Sequence, residues 1–211
     1  MRRSLALFIT FEGGEGTGKT TQVQLLVDRL GQTGRTVLAL REPGGTPLGD
    51  YLRTWLKAED RPLTSETELL LFAAARAELV RTVIKPTLAS GTHVVLDRYA
   101  DSTIVYQGYG RGLPVAHVRA VNNVASAGLI PDVTFLLDAP LNVALGRTLG
   151  REEDGGRRFE NEAMGFHRRV KAGFRRLAKR NPERWVTVDA AEKADVVHEI
   201  IWERLQGLLA T

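Results

Sequence analysis

Cysteine is absent from the 211 residues. That excludes disulfides and thiolate metal sites and fits a reducing, cytoplasmic setting. The four histidines (His93, His117, His167 and His198) make no close-spaced ligand pair, so a transition metal caged by side chains is not expected. No apolar run approaches the roughly 18 residues of a membrane span, and a soluble chain without a membrane partner follows. Met1-Arg2-Arg3 followed by Leu5-Ala6-Leu7-Phe8-Ile9 opens like a signal peptide. No small-residue cleavage site follows, and the run leads straight into a glycine loop, so it reads as a first strand. No Asn-Lys pair exists, so the guanine-reading N-K-x-D of a GTPase is missing. Internal repeats, low-complexity tracts and dividing linkers are also lacking.

What is present is globular. Hydrophobic residues make up 43% and charged residues 26%, and the length suits one domain, residues 1–211. The net charge is +4, with an isoelectric point near 9.6, which suits either nucleic acid or anionic small substrates. The densest basic stretch, His167 to Arg180, carries Phe166, Val170, Phe174 and Leu177 at helical spacing. It reads as an amphipathic helix with Arg168, Arg169, Lys171, Arg175, Arg176 and Lys179 on its solvated face.

Apolar, β-branched runs at Leu5–Phe11, Thr36–Leu40, His93–Leu96, Val133–Leu137 and Trp185–Val188 predict strands. Helical patterns lie between them at Lys19–Leu30, Leu48–Lys57, Ser65–Ala89, Pro114–Ala127, Leu141–Gly150, Arg158–Arg180 and Ala191–Leu209. The alternation predicts an α/β fold, a doubly wound sheet of about five parallel strands with helices on both faces. Ligands bind beyond the carboxyl ends of such strands, so the informative residues should follow each run.

Gly13-Gly14-Glu15-Gly16-Thr17-Gly18-Lys19-Thr20 matches G-x-x-x-x-G-K-[ST] between a predicted strand and a predicted helix. Glycines let backbone N–H groups turn inward around phosphates. Lys19 would reach the β- and γ-phosphates, Thr20 would ligate Mg²⁺, and the helix points its positive end at the anion. Three strands end in an acid able to hold magnesium through water: Asp97, Asp138 and Asp189. Asp97 stands out because Arg98 follows at once, a cation beside the phosphates. Asp138, before Ala139-Pro140, also reads as a strand-end turn residue.

Ser65-Glu66-Thr67-Glu68 is a capping box that starts a helix at about Glu66. Arg76 falls in that helix's apolar stripe, four residues after Phe72, with no acid three or four residues away. A buried guanidinium needs a counter-ion. Its tip reaches solvent, a partner comes from elsewhere, or an acceptor phosphate is gripped by the fork. Phe72 on the same face is placed to stack a base.

Phe11-Glu12-Gly13, Arg41-Glu42-Pro43-Gly44-Gly45-Thr46, Phe72 to Arg76, Asp97-Arg98-Tyr99, Tyr106-Gln107-Gly108 and a late arginine-rich segment stand in an order that resembles bacterial thymidylate kinases. These belong to the nucleoside monophosphate kinase group of P-loop kinases. The resemblance implies transfer of the γ-phosphate of ATP to dTMP, with Mg²⁺, in a cytoplasmic homodimer. It implies that Glu15 lies near the acceptor 3′-hydroxyl, that Phe72 stacks on thymine, and that Arg76 binds the base or the acceptor phosphate region. Arg98 would contact the transferring phosphates. Tyr106 would occupy the space of a ribose 2′-hydroxyl, Ser102 and Gln107 would line the same pocket, and the Glu42-Pro43 bond would be cis. Gly16 stands where one subgroup carries a P-loop arginine, so a lid at about residues 147–160 supplies that charge. There Arg151 is the expected phosphate contact and Arg147 the expected adenine contact, with Arg158 beside them. The doubly acidic Glu152-Glu153 departs from the family pattern. Another small-molecule P-loop kinase, a nucleic-acid-dependent ATPase using the His167–Arg180 helix, and a silent nucleotide-binding scaffold are the rival readings.

Overall fold

All five strands form, in a computed structural model that describes residues 6–149 and 157–209. They are β1 (Phe8–Glu12), β2 (Val37–Arg41), β3 (His93–Asp97), β4 (Val133–Asp138) and β5 (Trp185–Asp189). They pair in parallel in the order β2-β3-β1-β4-β5. Chain order reverses beside β1, the switch point at which such sheets bind ligands. Each strand ends on a charged residue, and the registers Phe11↔Asp97, Arg41↔Asp97 and Asp138↔Asp189 gather these along one edge.

The helices are α1 (Lys19–Gln32), α2 (Pro47–Lys57), α3 (Ser65–Leu79), α4 (Lys85–Ala89), α5 (Ala100–Thr103), α6 (Val115–Ser126), α7 (Leu141–Gly146), α8 (Met164–Arg180) and α9 (Ala194–Leu209). On one face, Leu26 and Leu30 of α1 and Ile201 and Leu205 of α9 bury against Ile9, Phe11 and Phe135. On the other, Leu79 and Ile84 cover Phe8, Val94 and Leu96. Each such side chain, fully buried, contributes about 2 kcal/mol of transfer free energy. The stripe expected on α8 is buried in full: Phe166, Val170, Phe174 and Leu177 pack on Val105 and Leu136.

Several boundaries differ from expectation. The cap of α3 is Thr64, whose hydroxyl accepts from the Thr67 amide at 3.2 Å, so the helix starts at Ser65. The Ser65–Ala89 pattern is not one α-helix. It passes through a π-helical stretch, Val80–Ile84, into α4. Pro86 sits just after that stretch, and proline lacks the N–H that a regular ladder needs. A short helix, α5, running into a second π-helical stretch, Ile104–Gly110, was not expected at all. Its residues are buried on nearly every side, so the sequence shows no amphipathic period there. Toward the lid, α7 ends at Gly146 and α8 begins only at Met164. Of the expected lid residues, Gly150 to Gly156 lie outside the described residues. Among the described residues, no helix is long and apolar enough to cross a membrane.

Candidate active site

The strand tips open into a cleft of about 210 Å³ whose walls include Lys19, Thr20, Glu42, Phe72, Asp97 and Arg98. Its floor is the glycine loop. Gly13, Gly16 and Gly18 adopt φ values of 143°, 70° and 92°, which side chains rarely tolerate. At Gly16 a Cβ would stand 1.8 Å from the Ala144 carbonyl oxygen of α7. An arginine at that position is therefore sterically excluded. Lys19, buried at the start of α1, folds its ammonium back onto the Gly14 carbonyl at 2.6 Å. Burial pushes that ammonium down to about 8, with the Arg98 cation adding to the effect.

Thr20 donates its hydroxyl proton to Asp97 Oδ2 at 2.7 Å. These two oxygen donors on the cleft wall fit magnesium, which keeps several waters and phosphate oxygens around one or two protein ligands. The other two strand-end acids are otherwise engaged. Asp138 is held by Arg175 at 2.7 Å and Lys171 at 3.3 Å, both from α8. Asp189 accepts from the Ala191 amide at 2.9 Å, a turn contact. Of the three acids, Asp97 is the one that lines the cleft beside Thr20.

Arg98 occupies the left-handed region, φ 69°, an uncommon state for a side-chain-bearing residue. Its guanidinium donates to the Gly13 carbonyl at 2.9 Å, to Glu15 at 3.0 Å and to Ser102 at 3.3 Å. The Tyr106 hydroxyl donates to the same Glu15 oxygen at 2.5 Å, with the Arg98 guanidinium 5.0 Å from the Tyr106 ring. Burial works against ionisation of Glu15, but Arg98, Lys19 and Tyr106 outweigh it and hold the carboxyl below the usual range. Burial raises the Tyr106 phenol well above its ordinary value, so it remains a donor at neutral pH. The structure thus joins Glu15, Arg98, Ser102 and Tyr106 in one network.

Phe72 is half-buried on the cleft wall, its ring centroid 6.0 Å from that of Phe159. Arg76, 1% exposed, already has its anion. Nε and Nη2 donate to Glu42 Oε2 at 2.8 and 2.5 Å, and Nη1 donates to Thr103 and Asn122 at 3.0 and 2.8 Å. Of the three ways to satisfy Arg76, a partner from elsewhere in the chain is the one found: Glu42, the residue that follows β2. The Glu42-Pro43 bond is cis. Gln107 donates to the fully buried Glu68 at 2.8 Å and does not face the cleft alone.

The lid arginines separate. Arg147 donates to the carbonyls of Ala190 and Ala191 at 2.7 and 3.0 Å, fastening the end of α7 to the loop after β5. Arg158 sits against α3: its guanidinium lies 3.4 Å from Glu68, which also binds Gln107 and Arg111, and it donates to the Arg61 carbonyl at 3.3 Å. Arg151 lies outside the described residues.

Four residues were missed. Glu68 anchors the network just described. Arg53 lines the cleft and donates to the Pro43 carbonyl at 3.2 Å. His167, 3% exposed, places Nδ1 3.7 Å from Glu15 Oε2. Glu12 is wholly buried at the tip of β1, and burial, with Asp101 nearby, pushes its carboxyl up to about 7. Glu12 alone had a usable signal, since it ends a strand just as Asp97 and Asp138 do.

Fold and site together define a phosphotransferase of the P-loop nucleoside monophosphate kinase kind. The family model described as thymidylate kinase matches residues 11–201. A thymidylate kinase of Thermomicrobium roseum is 48% identical over 198 residues, covering 94% of this chain and 93% of that one. One from a Synechococcus species is 50% identical over 203 residues, covering 96% of each. A crystal structure of thymidylate kinase from Ehrlichia chaffeensis superposes with a TM-score of 0.76 at 36% identity, covering 95% of this chain and 98% of that one. The chain belongs to the thymidylate kinase family.

Proposed function

We propose that this chain transfers the γ-phosphate of ATP to dTMP, and that the cleft takes the two nucleotides head to head. The observation that supports this is one cleft at the strand tips, lined together by Lys19 and the phosphate loop, the Arg98–Glu15 pair, Phe72 and Arg53. Lys19 and Arg98 neutralise charge growing on the transferred group, and the acceptor phosphate oxygen attacks the γ-phosphorus in line. Magnesium at Thr20 and, through water, Asp97 supplies further charge neutralisation when bound. No covalent intermediate is needed, since alignment alone accounts for much of the rate.

On the acceptor side Phe72 stacks on the base, with Arg76 and Gln107 behind it, and Arg53 and Arg98 flank the acceptor phosphate. Tyr106, locked to Glu15, leaves no room for a ribose 2′-hydroxyl, and Glu15 faces the sugar. Residues 147–160 form a lid over one continuous domain, with Arg151 as its phosphate contact and Arg147 toward the adenine. We also read the enzyme as cytoplasmic and homodimeric through the outer faces of α3 and α6, a state that sedimentation velocity measures directly.

The test is ADP release across dTMP, dUMP, dCMP, dGMP, AMP and thymidine. The expected result is the highest kcat/KM with dTMP. Equal rates on every acceptor, or release independent of any of them, would remove the reading.

A further inference from the structure

The left-handed backbone of Arg98 must be held by its surroundings, because an arginine does not favour that conformation. Glu12 does the holding. Its Oε1 accepts from the Tyr99 amide at 2.9 Å and the Ser102 amide at 3.3 Å, and its Oε2 accepts from the Ser102 hydroxyl at 2.5 Å. That hydroxyl in turn accepts from the Arg98 guanidinium at 3.3 Å. On either side of Glu12 in the chain, the Phe11 carbonyl accepts from the Arg98 amide and the Gly13 carbonyl from its guanidinium, both at 2.9 Å. The tip of β1 therefore grips both ends of one residue, the backbone through Phe11 and through Glu12's hold on the next amide, and the side chain through Gly13 and, by way of the Ser102 hydroxyl of α5, through Glu12.

We infer that Glu12 is a positioning residue that aims Arg98 at the reacting phosphates, although it lines no part of the cleft itself. The carboxylate is suited to this because one oxygen accepts from two amides while the other accepts from a hydroxyl, which no apolar or single-acceptor side chain reproduces. A residue of this kind governs turnover through the placement of another group, and misplacement by about 1 Å costs on the order of 100-fold. The inference rests on the reading of Arg98 as the cation at the transferred phosphate.

A double-mutant cycle tests it, using Glu12→Ala, Arg98→Ala and the pair, with kcat, KM for dTMP, affinity for an ATP analogue and melting temperature measured on each. Glu12→Ala is expected to lower kcat about 100-fold with little change in ATP-analogue affinity. In the Arg98→Ala background the same change is expected to cost almost nothing further, because there is no guanidinium left to aim. Glu12→Gln keeps an acceptor oxygen for the two amides but loses the one for the Ser102 hydroxyl, so it should recover only part of the lost rate. Should Glu12→Ala not fold, Glu12→Asp retracts the oxygens by one methylene and enters the same cycle. Losses that multiply independently would overturn the positioning role and leave Glu12 a structural acid. Full turnover by Arg98→Ala alone would instead overturn the assignment of Arg98.

Discussion

At the scale of single residues the decisive pair is Arg76 and Glu42. Both are buried, and the cation reaches across 34 residues of sequence to its partner. Burial pushes Glu42 above the usual carboxylate range while Arg76 pulls it back. Arg76→Ala removes that pull and strands a carboxyl in the core, a loss of about 3 kcal/mol or more. The stranded acid has a raised native pKa, so between the unfolded value of 4.5 and its new one the native state binds the extra proton. Stability of the variant therefore falls as pH rises through that window. Urea unfolding should show a larger penalty at pH 8 than at pH 5. Equal penalties would mean that Glu42 is not the stranded group. The sequence showed that Arg76 wanted an anion, because its own helix offered none. It did not show which one, because Glu42 reaches it only through the β2–β3 pairing and the turn after β2.

At the scale of elements, the phosphate loop and α7 are built as one unit. Gly16 has φ 70° and faces the Ala144 carbonyl, so Gly16→Ala must displace either the loop or α7. The expected cost is about 1–3 kcal/mol of stability, together with weakened binding of an ATP analogue by calorimetry. A variant that melts and binds like the parent would show that α7 yields freely. The strands were legible because short apolar runs ending in charge have few other readings, and the core stripe of α8 was legible from its period. The segment from Ala100 to Gly110 was not. Ile104, Val105, Tyr106 and Gln107 are all buried, so no polar face marks them as helical. The site was therefore readable where chemistry needs a fixed local spacing, as in residues 13–20. It was unreadable where long-range contacts supply the partners, as with Glu68 and Arg158.

At the scale of the whole molecule the question is what the net charge of +4 is for. A nucleic-acid surface would leave the cations of α8 free to meet phosphates. Three of them are committed internally. Arg169 donates to the Gly110 carbonyl at 2.9 Å, and Lys171 and Arg175 hold Asp138. Around the cleft, Lys19 is buried and Arg98 half-buried among Glu15, Glu12 and Asp97, where a folded duplex cannot follow. The cleft lining carries six Lys and Arg (Lys19, Arg41, Arg53, Lys57, Arg76, Arg98) against four Asp and Glu (Glu15, Glu42, Asp97, Glu160), in a pocket sized for small anions. ATP turnover should accordingly be unchanged by added DNA or RNA, and binding to either should be weaker than about 10⁻⁴ M at physiological salt. ATP hydrolysis stimulated by nucleic acid in the absence of any nucleoside monophosphate would show instead that the exposed Arg168, Arg176 and Lys179 form the working surface.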